Sequence, residues 1–183
     1  DPKNPERDRF VLSKGHCVEA LYTTLEAKGF LKKETTDTLG QYGSILSGHP
    51  TIEVPGIEVN TGALGHGLPI GVGMALAAKM DRKSYKTYVM MGDGEQGEGS
   101  IYEAAMAGHQ YKLDNLVAII DRNHLQISGN TEDVMAIENI KDRWTAFGWD
   151  VKLMDGDCMD DIVKTIDSID FGNGKPHLLP RRA

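Results

Sequence analysis

The sequence predicts an α/β fold: an open, doubly wound, mainly parallel sheet with helices on both faces. Three observations carry this. Leu116-Val117-Ala118-Ile119-Ile120-Asp121 is a near-continuous apolar run, the pattern of a strand buried on both faces. Lys86-Thr87-Tyr88-Val89-Met90-Met91 reads as a second strand, and Glu98–Gln110 between them is helical, with Ile101, Ala104, Ala105 and Ala107 on one side. The join, Gly92-Asp93-Gly94, feeds a strand into a helix through glycines, which is where open α/β sheets bind phosphate. With 183 residues, 40% of them hydrophobic and 26% charged, the chain suits a single domain with a sizeable core.

The remaining elements follow in order. Residues 1–15 read as loop, and a helix with Val18, Leu21, Tyr22 and Leu25 on its apolar side runs to Lys28, closed by Gly29. Ser13 or Gly15 would stand near its N-cap. A short helix is expected around Lys33–Leu39. Residues 40–67 show no period but interleave glycines, apolar residues and histidines. A loop of that length in a compact domain points to function. The next helix has Pro69 in its first turn, ends near Lys79–Arg82, and carries Gly71, Gly73, Ala75, Ala77 and Ala78 for close packing. After the central strand–helix–strand unit come a Gly129-containing loop, a helix at Ile140–Phe147, a strand at Trp149–Leu153, a helix at Cys158–Ile169 capped by Asp157, and a strand opening at His177. No repeat, linker or low-complexity segment interrupts the chain.

Composition excludes several classes. A net charge of −7 with dispersed Lys and Arg gives no footprint for nucleic acid, and the scattered aromatics form no stacking platform. No run of about 18 apolar residues predicts a membrane span. Cys17 and Cys158 stand far apart without a CxxC, which favours two reduced thiols in a cytoplasmic protein over a disulfide or zinc site. The start is polar and lacks Met, and the last strand begins close to the end, so a fragment of a longer chain is expected.

By residue chemistry alone Asp93 either caps a helix or faces a ligand. Asn123, at the end of the neighbouring strand, shifts the balance. Both side chains then sit at the carboxyl ends of adjacent strands and offer the hard oxygens that Mg²⁺ takes when it bridges to phosphate.

Gly92-Asp93-Gly94 through Asp121-Arg122-Asn123 resembles the thiamine diphosphate motif. Further words narrow the resemblance to the transketolase family: Arg7-Asp8-Arg9-Phe10-Val11-Leu12-Ser13-Lys14-Gly15-His16, Ser47-Gly48-His49-Pro50, Pro55-Gly56-Ile57-Glu58-Val59-Asn60-Thr61-Gly62-Ala63-Leu64-Gly65-His66-Gly67, and Gly92-Asp93-Gly94-Glu95-Gln96-Gly97-Glu98-Gly99. The likeness runs from about residue 5 to about residue 179. It implies that Asp93 and Asn123 hold Mg²⁺ (Ca²⁺ or Mn²⁺ as substitutes), with the Leu125 carbonyl as a further ligand. By the same resemblance Gly92 and Gly94 approach the diphosphate and His16 contacts it. Gly62, Ala63 and Leu64 pack on the cofactor rings, His49 faces the substrate, His66 stands where many members carry Gln, and Glu98 lies near a subunit interface.

The implied activity is transfer of a two-carbon ketol unit from a ketose phosphate to an aldose. The module with the glutamate that activates the aminopyrimidine has no match in this sequence. The resemblance therefore implies a diphosphate-binding part, either one subunit of a split enzyme or a truncated one. It would need a pyrimidine-binding partner in a homodimer or heterotetramer. His109 and His177 read as structural, and His124 is open between the two readings. Three rivals are weaker. For a synthase joining pyruvate to glyceraldehyde phosphate, the Gly48-His49-Pro50 and Thr61-Gly62-Ala63-Leu64 words fit less well. A non-catalytic subunit would not need to retain Asp93, Asn123, His16 and His49. A dinucleotide-binding protein matches Gly92-x-Gly94-x-x-Gly97 by spacing, yet Asp93 would repel a pyrophosphate without a metal.

Overall fold

The structure is a computed structural model and describes residues 1–181. In chain order its elements are β1 (Arg9–Leu12), α1 (Val18–Ala27), α2 (Lys33–Thr36), α3 (Gly67–Met80), β2 (Thr87–Gly92), α4 (Gly99–Gln110), β3 (Leu116–Asp121), β4 (Leu125–Gln126), β5 (Gly129–Asn130), α5 (Thr131–Val134), α6 (Ile140–Ala146), β6 (Asp150–Val151), α7 (Met159–Asp167) and β7 (His177–Pro180). Short 3₁₀ turns at Gly15–Cys17 and Gly94–Gly97 precede α1 and α4. Five strands form one sheet in the order β1-β2-β3-β7-β6, every pairing parallel. Among the described residues no helix is long and apolar enough to cross a membrane.

Alternation along the strands divides the core. Val11, Val89, Met91, Ala118 and Ile120 face α3 and α4. Tyr88, Val117, Ile119 and Leu179 face the other way, against Ile162, Ile166 and Ile169 in and just after α7. A Cβ added at Gly71 would lie 2.4 Å from Val89, so the small-residue helix does sit close on the sheet. Trp144 and Trp149 close one end edge-to-face at 4.7 Å, and Trp149 Nε1 donates to the Ala105 carbonyl at 2.9 Å.

A separate apolar cluster of Val18, Tyr22, Leu25, Leu31, Leu46 and Val54 anchors the long loop on α1. Tyr22 Oη donates to the Ser47 carbonyl at 2.9 Å. The loop therefore has a fixed course despite its lack of periodicity.

Four expectations need correction. Arg9–Leu12 is an edge strand paired with Thr87–Met90, not loop. Four residues are too few to show a period, and the partner strand is remote in sequence. Ser13 does not cap α1; its hydroxyl turns inward to Glu95. Asp157 does not cap α7, whose N-cap is Cys158; its carboxylate instead pairs with Arg181. The strand expected at Trp149–Leu153 shrinks to Asp150–Val151, because Trp149 is drawn into the core. Both cysteines are free thiols, Cys17 half-buried and Cys158 exposed.

Candidate functional site

Register places the site. Gly92 pairs with Asp121, so β2 and β3 end side by side and release Asp93 and Asn123 at the same edge of the sheet. There they border a cleft of about 760 Å³. Its walls come from four stretches: Lys14 and His16; His49, Gly62 and Leu64; Gly92 to Glu95 with Glu98; and Asn123 with Leu125 to Ser128.

Asp93 is 1% exposed and its two oxygens are treated differently. Oδ2 accepts from Arg122 Nη1 at 2.8 Å, the His124 backbone N–H at 2.7 Å and Thr131 Oγ1 at 3.2 Å. Oδ1 is buried without a partner among the described residues. A buried carboxylate oxygen left unpaired is costly, and a cation is the natural occupant. Asn123 Oδ1 accepts from the Leu125 N–H at 2.9 Å, and its amide donates to Asp121 at 3.0 Å. Carboxylate, amide and carbonyl oxygens form a hard donor set of the kind Mg²⁺, Ca²⁺ or Mn²⁺ takes. The residues present therefore fit a divalent ion.

Arg122 supports this arrangement from behind. It is 2% exposed and also meets Glu132 at 2.8 Å and Glu138 at 2.9 Å. Desolvation opposes its charge, but the hydrogen bonds to Asp93 and Glu138 outweigh that and raise its pKa. His124 takes a left-handed φ of 63°, which aims its backbone N–H at Asp93.

The glycines of the opposite wall have steric reasons. Gly62 adopts φ 130°, and a Cβ there would lie 2.5 Å from His49 Cδ2. A Cβ at Gly15 would come within 3.1 Å of the same carbon. The backbones before His16 and around Gly62 thus close on the His49 ring.

Of the predicted site residues, His16, His49, Gly62, Leu64, Gly92, Asp93, Gly94, Glu98, Asn123 and Leu125 all border the cleft. Ala63 and His66 do not. Both are exposed, and His66 lies at the N-terminus of α3 with Nδ1 3.2 Å from the Leu64 carbonyl. Glu98 is exposed at the N-cap of α4 and makes no side-chain capping bond. His177 is buried in β7 beside Asp150, the structural role expected of it. His109 packs its ring over Gly148, also a structural position.

Sequence reasoning misses Lys14, Glu95, Gln126, Ile127 and Ser128 on the cleft wall, and Arg122 behind it. Two carry a usable signal. Glu95 is an acid inside a glycine-rich anion-binding turn, and Arg122 is a charged residue directly after an apolar strand.

Comparison with known proteins agrees with the geometry. The family model described as "Transketolase, thiamine diphosphate binding domain" matches residues 1–183. One subunit of the apulose-4-phosphate transketolase of Phocaeicola vulgatus is 78% identical over 97% of this chain and 63% of its own length. The 6-deoxy-6-sulfo-D-fructose transketolase subunit of a Clostridium species is 44% identical over 98% of this chain and 66% of its own. This chain thus spans a little under two thirds of these relatives. Among solved structures, the transketolase of Campylobacter jejuni superposes with TM-score 0.92 at 35% identity, covering 99% of this chain and 30% of that one. On its cleft, its sheet and these relatives together, the chain belongs to the transketolase family, as its thiamine diphosphate-binding domain.

Proposed function

We propose that this chain is the diphosphate- and metal-binding subunit of a split transketolase. It moves a two-carbon ketol unit from a ketose phosphate to an aldose with a pyrimidine-binding partner subunit. The observation that carries the reading is the unpartnered Asp93 Oδ1 in a cleft bordered by Gly92, Gly94 and Asn123. Relatives that are themselves named as single subunits of transketolases support the split arrangement. The 78% identical relative makes apulose 4-phosphate the first donor to test.

Asp93, Asn123 and the Leu125 carbonyl would hold Mg²⁺. Gly92, Gly94 and His16 would receive the diphosphate, and Gly62 and Leu64 would pack on the rings. Thiamine diphosphate, when bound, supplies the carbon nucleophile and electron sink that ketol transfer requires. His49, exposed in the cleft, is the group placed to hydrogen-bond substrate oxygens where charge develops. Ala63, His66 and Glu98 would act from the rim, Glu98 toward the partner.

Calorimetric titration tests the site. Thiamine diphosphate should bind the intact protein only with a divalent ion. Asp93→Ala should weaken that binding beyond the roughly 100-fold reached when outer-shell partners of a metal are lost. Equal affinity in both proteins removes Asp93 from the metal role. Without its partner the protein should show no ketol transfer, and activity should appear when the partner is added.

A further inference from the structure

We infer that Glu95 is a positioning residue that fixes the spacing between the ring-binding loop and the diphosphate turn, an inference that rests on the function proposed above. Glu95 is 1% exposed, and all three groups bonded to its carboxylate are uncharged donors. Oε1 accepts from the Gly92 N–H at 2.7 Å. Oε2 accepts from Ser13 Oγ at 2.6 Å and from the Gly65 N–H at 2.8 Å. One carboxylate thus joins the end of β1, the loop carrying Gly62 to Leu64, and the turn carrying Asp93.

Burying an anion with no charged group bonded to it beside a cleft built for an anion is unfavourable on two counts, desolvation and repulsion, which the three hydrogen bonds must offset. A spacer would need neither charge nor polarity. What a carboxylate alone supplies here is two oxygens that accept from three segments at once. Gly65 is held from its other side as well. Its carbonyl accepts from Ser100 Oγ at 2.8 Å, and at φ 83° a Cβ there would lie 2.5 Å from that of Glu98. The loop is therefore clamped between Glu95 and the first turn of α4. Its distance from Gly92 runs through the Glu95 carboxylate.

Glu95→Gln tests this almost isosterically. If the amide nitrogen replaces Oε2, the Ser13 hydroxyl can reverse and accept, but the Gly65 N–H faces another donor. If it replaces Oε1, the Gly92 N–H does. The first orientation is favoured, because the second leaves the amide N–H and the Gly92 N–H both without an acceptor; it cuts the bridge at the loop and keeps the Gly92 N–H on the turn bonded.

Two probes separate positioning from general weakening, both titrated into the intact protein assembled with its partner. Thiamine diphosphate with Mg²⁺ needs the ring-binding loop as well as the diphosphate contacts, whereas inorganic pyrophosphate with Mg²⁺ needs only the latter. For Glu95→Gln the dissociation constant of thiamine diphosphate should rise about tenfold, the effect of leaving one buried N–H without an acceptor. That of pyrophosphate should stay within about twofold. Should Glu95→Gln not fold, Glu95→Asp replaces it, keeping the charge but too short to reach both sides, with the same split expected. Equal loss for both probes, or no loss for either, overturns the inference. If the wild-type protein binds neither probe, the reading of the turn fails and the positioning role with it.

Discussion

At the scale of single residues, the site depends on backbone conformations that side chains alone do not reveal. Gly62→Ala would place a methyl group against the His49 ring in a region of φ that L-residues rarely adopt. We expect a loss of about 1–3 kcal/mol in stability, read from the urea midpoint, together with weaker cofactor binding. Asp93 and Asn123 are legible in the sequence because carboxylate and amide at adjacent strand ends are a recognisable donor pair. Glu95 and Arg122 stand out in the sequence by position, but their roles do not, because these depend on partners 82 and 29 residues away along the chain, Ser13 and Asp93. A sequence states what a side chain can donate or accept; only the fold states to whom.

Among elements, those buried on both faces are the easiest to read. β3 announces itself as an apolar run because helices cover each side, whereas β2 fully buries only every second residue. β1, with four residues at the sheet edge, and the two-residue strands of the β4–β5 hairpin carry too few residues to show any period. The composition of the long loop before α3 marks it as functional, yet its course is set by α1. Tyr22 Oη bonds the Ser47 carbonyl and also lies 3.3 Å from that of His49. Tyr22→Phe should therefore cost about 1 kcal/mol by removing the hydrogen bond to the Ser47 carbonyl. It should also speed amide exchange through Leu46–Pro50 while the sheet stays protected. Unchanged exchange there would mean that the apolar cluster alone holds the loop.

For the whole molecule, stability should depend on pH through His177. Burial pushes its pKa below the ordinary 6.5, and Asp150, which acts the other way, does not reverse this. The unfolded chain therefore takes up a proton near 6.5 while the native protein resists until lower pH. The stabilisation is complete above that value and is lost as pH falls toward the native pKa. Thermal midpoints should drop as pH falls below about 6.5. His177→Asn should flatten that slope; an unchanged slope assigns the pH dependence elsewhere. The overall architecture is the most legible level, since parallel sheets with helices on both faces leave their mark on every central strand. The exception is strand order, because β6 and β7 enter the sheet in reverse and nothing in their short runs encodes it.

His124 has a consequence for which sequences this position can accept. What the site takes from it is a backbone N–H aimed at Asp93 from a left-handed φ, and its only bond to Asp93 is through that backbone group. In a saturation library the position should therefore sort residues by conformation and ignore their chemistry. Gly, Asn and Asp should be accepted for their ease in the left-handed region, while Val, Ile and Thr should be rejected and Pro excluded outright for lack of the N–H. Loss of the imidazole should go unnoticed; a library that instead retained only histidine would place the ring itself in the site's chemistry.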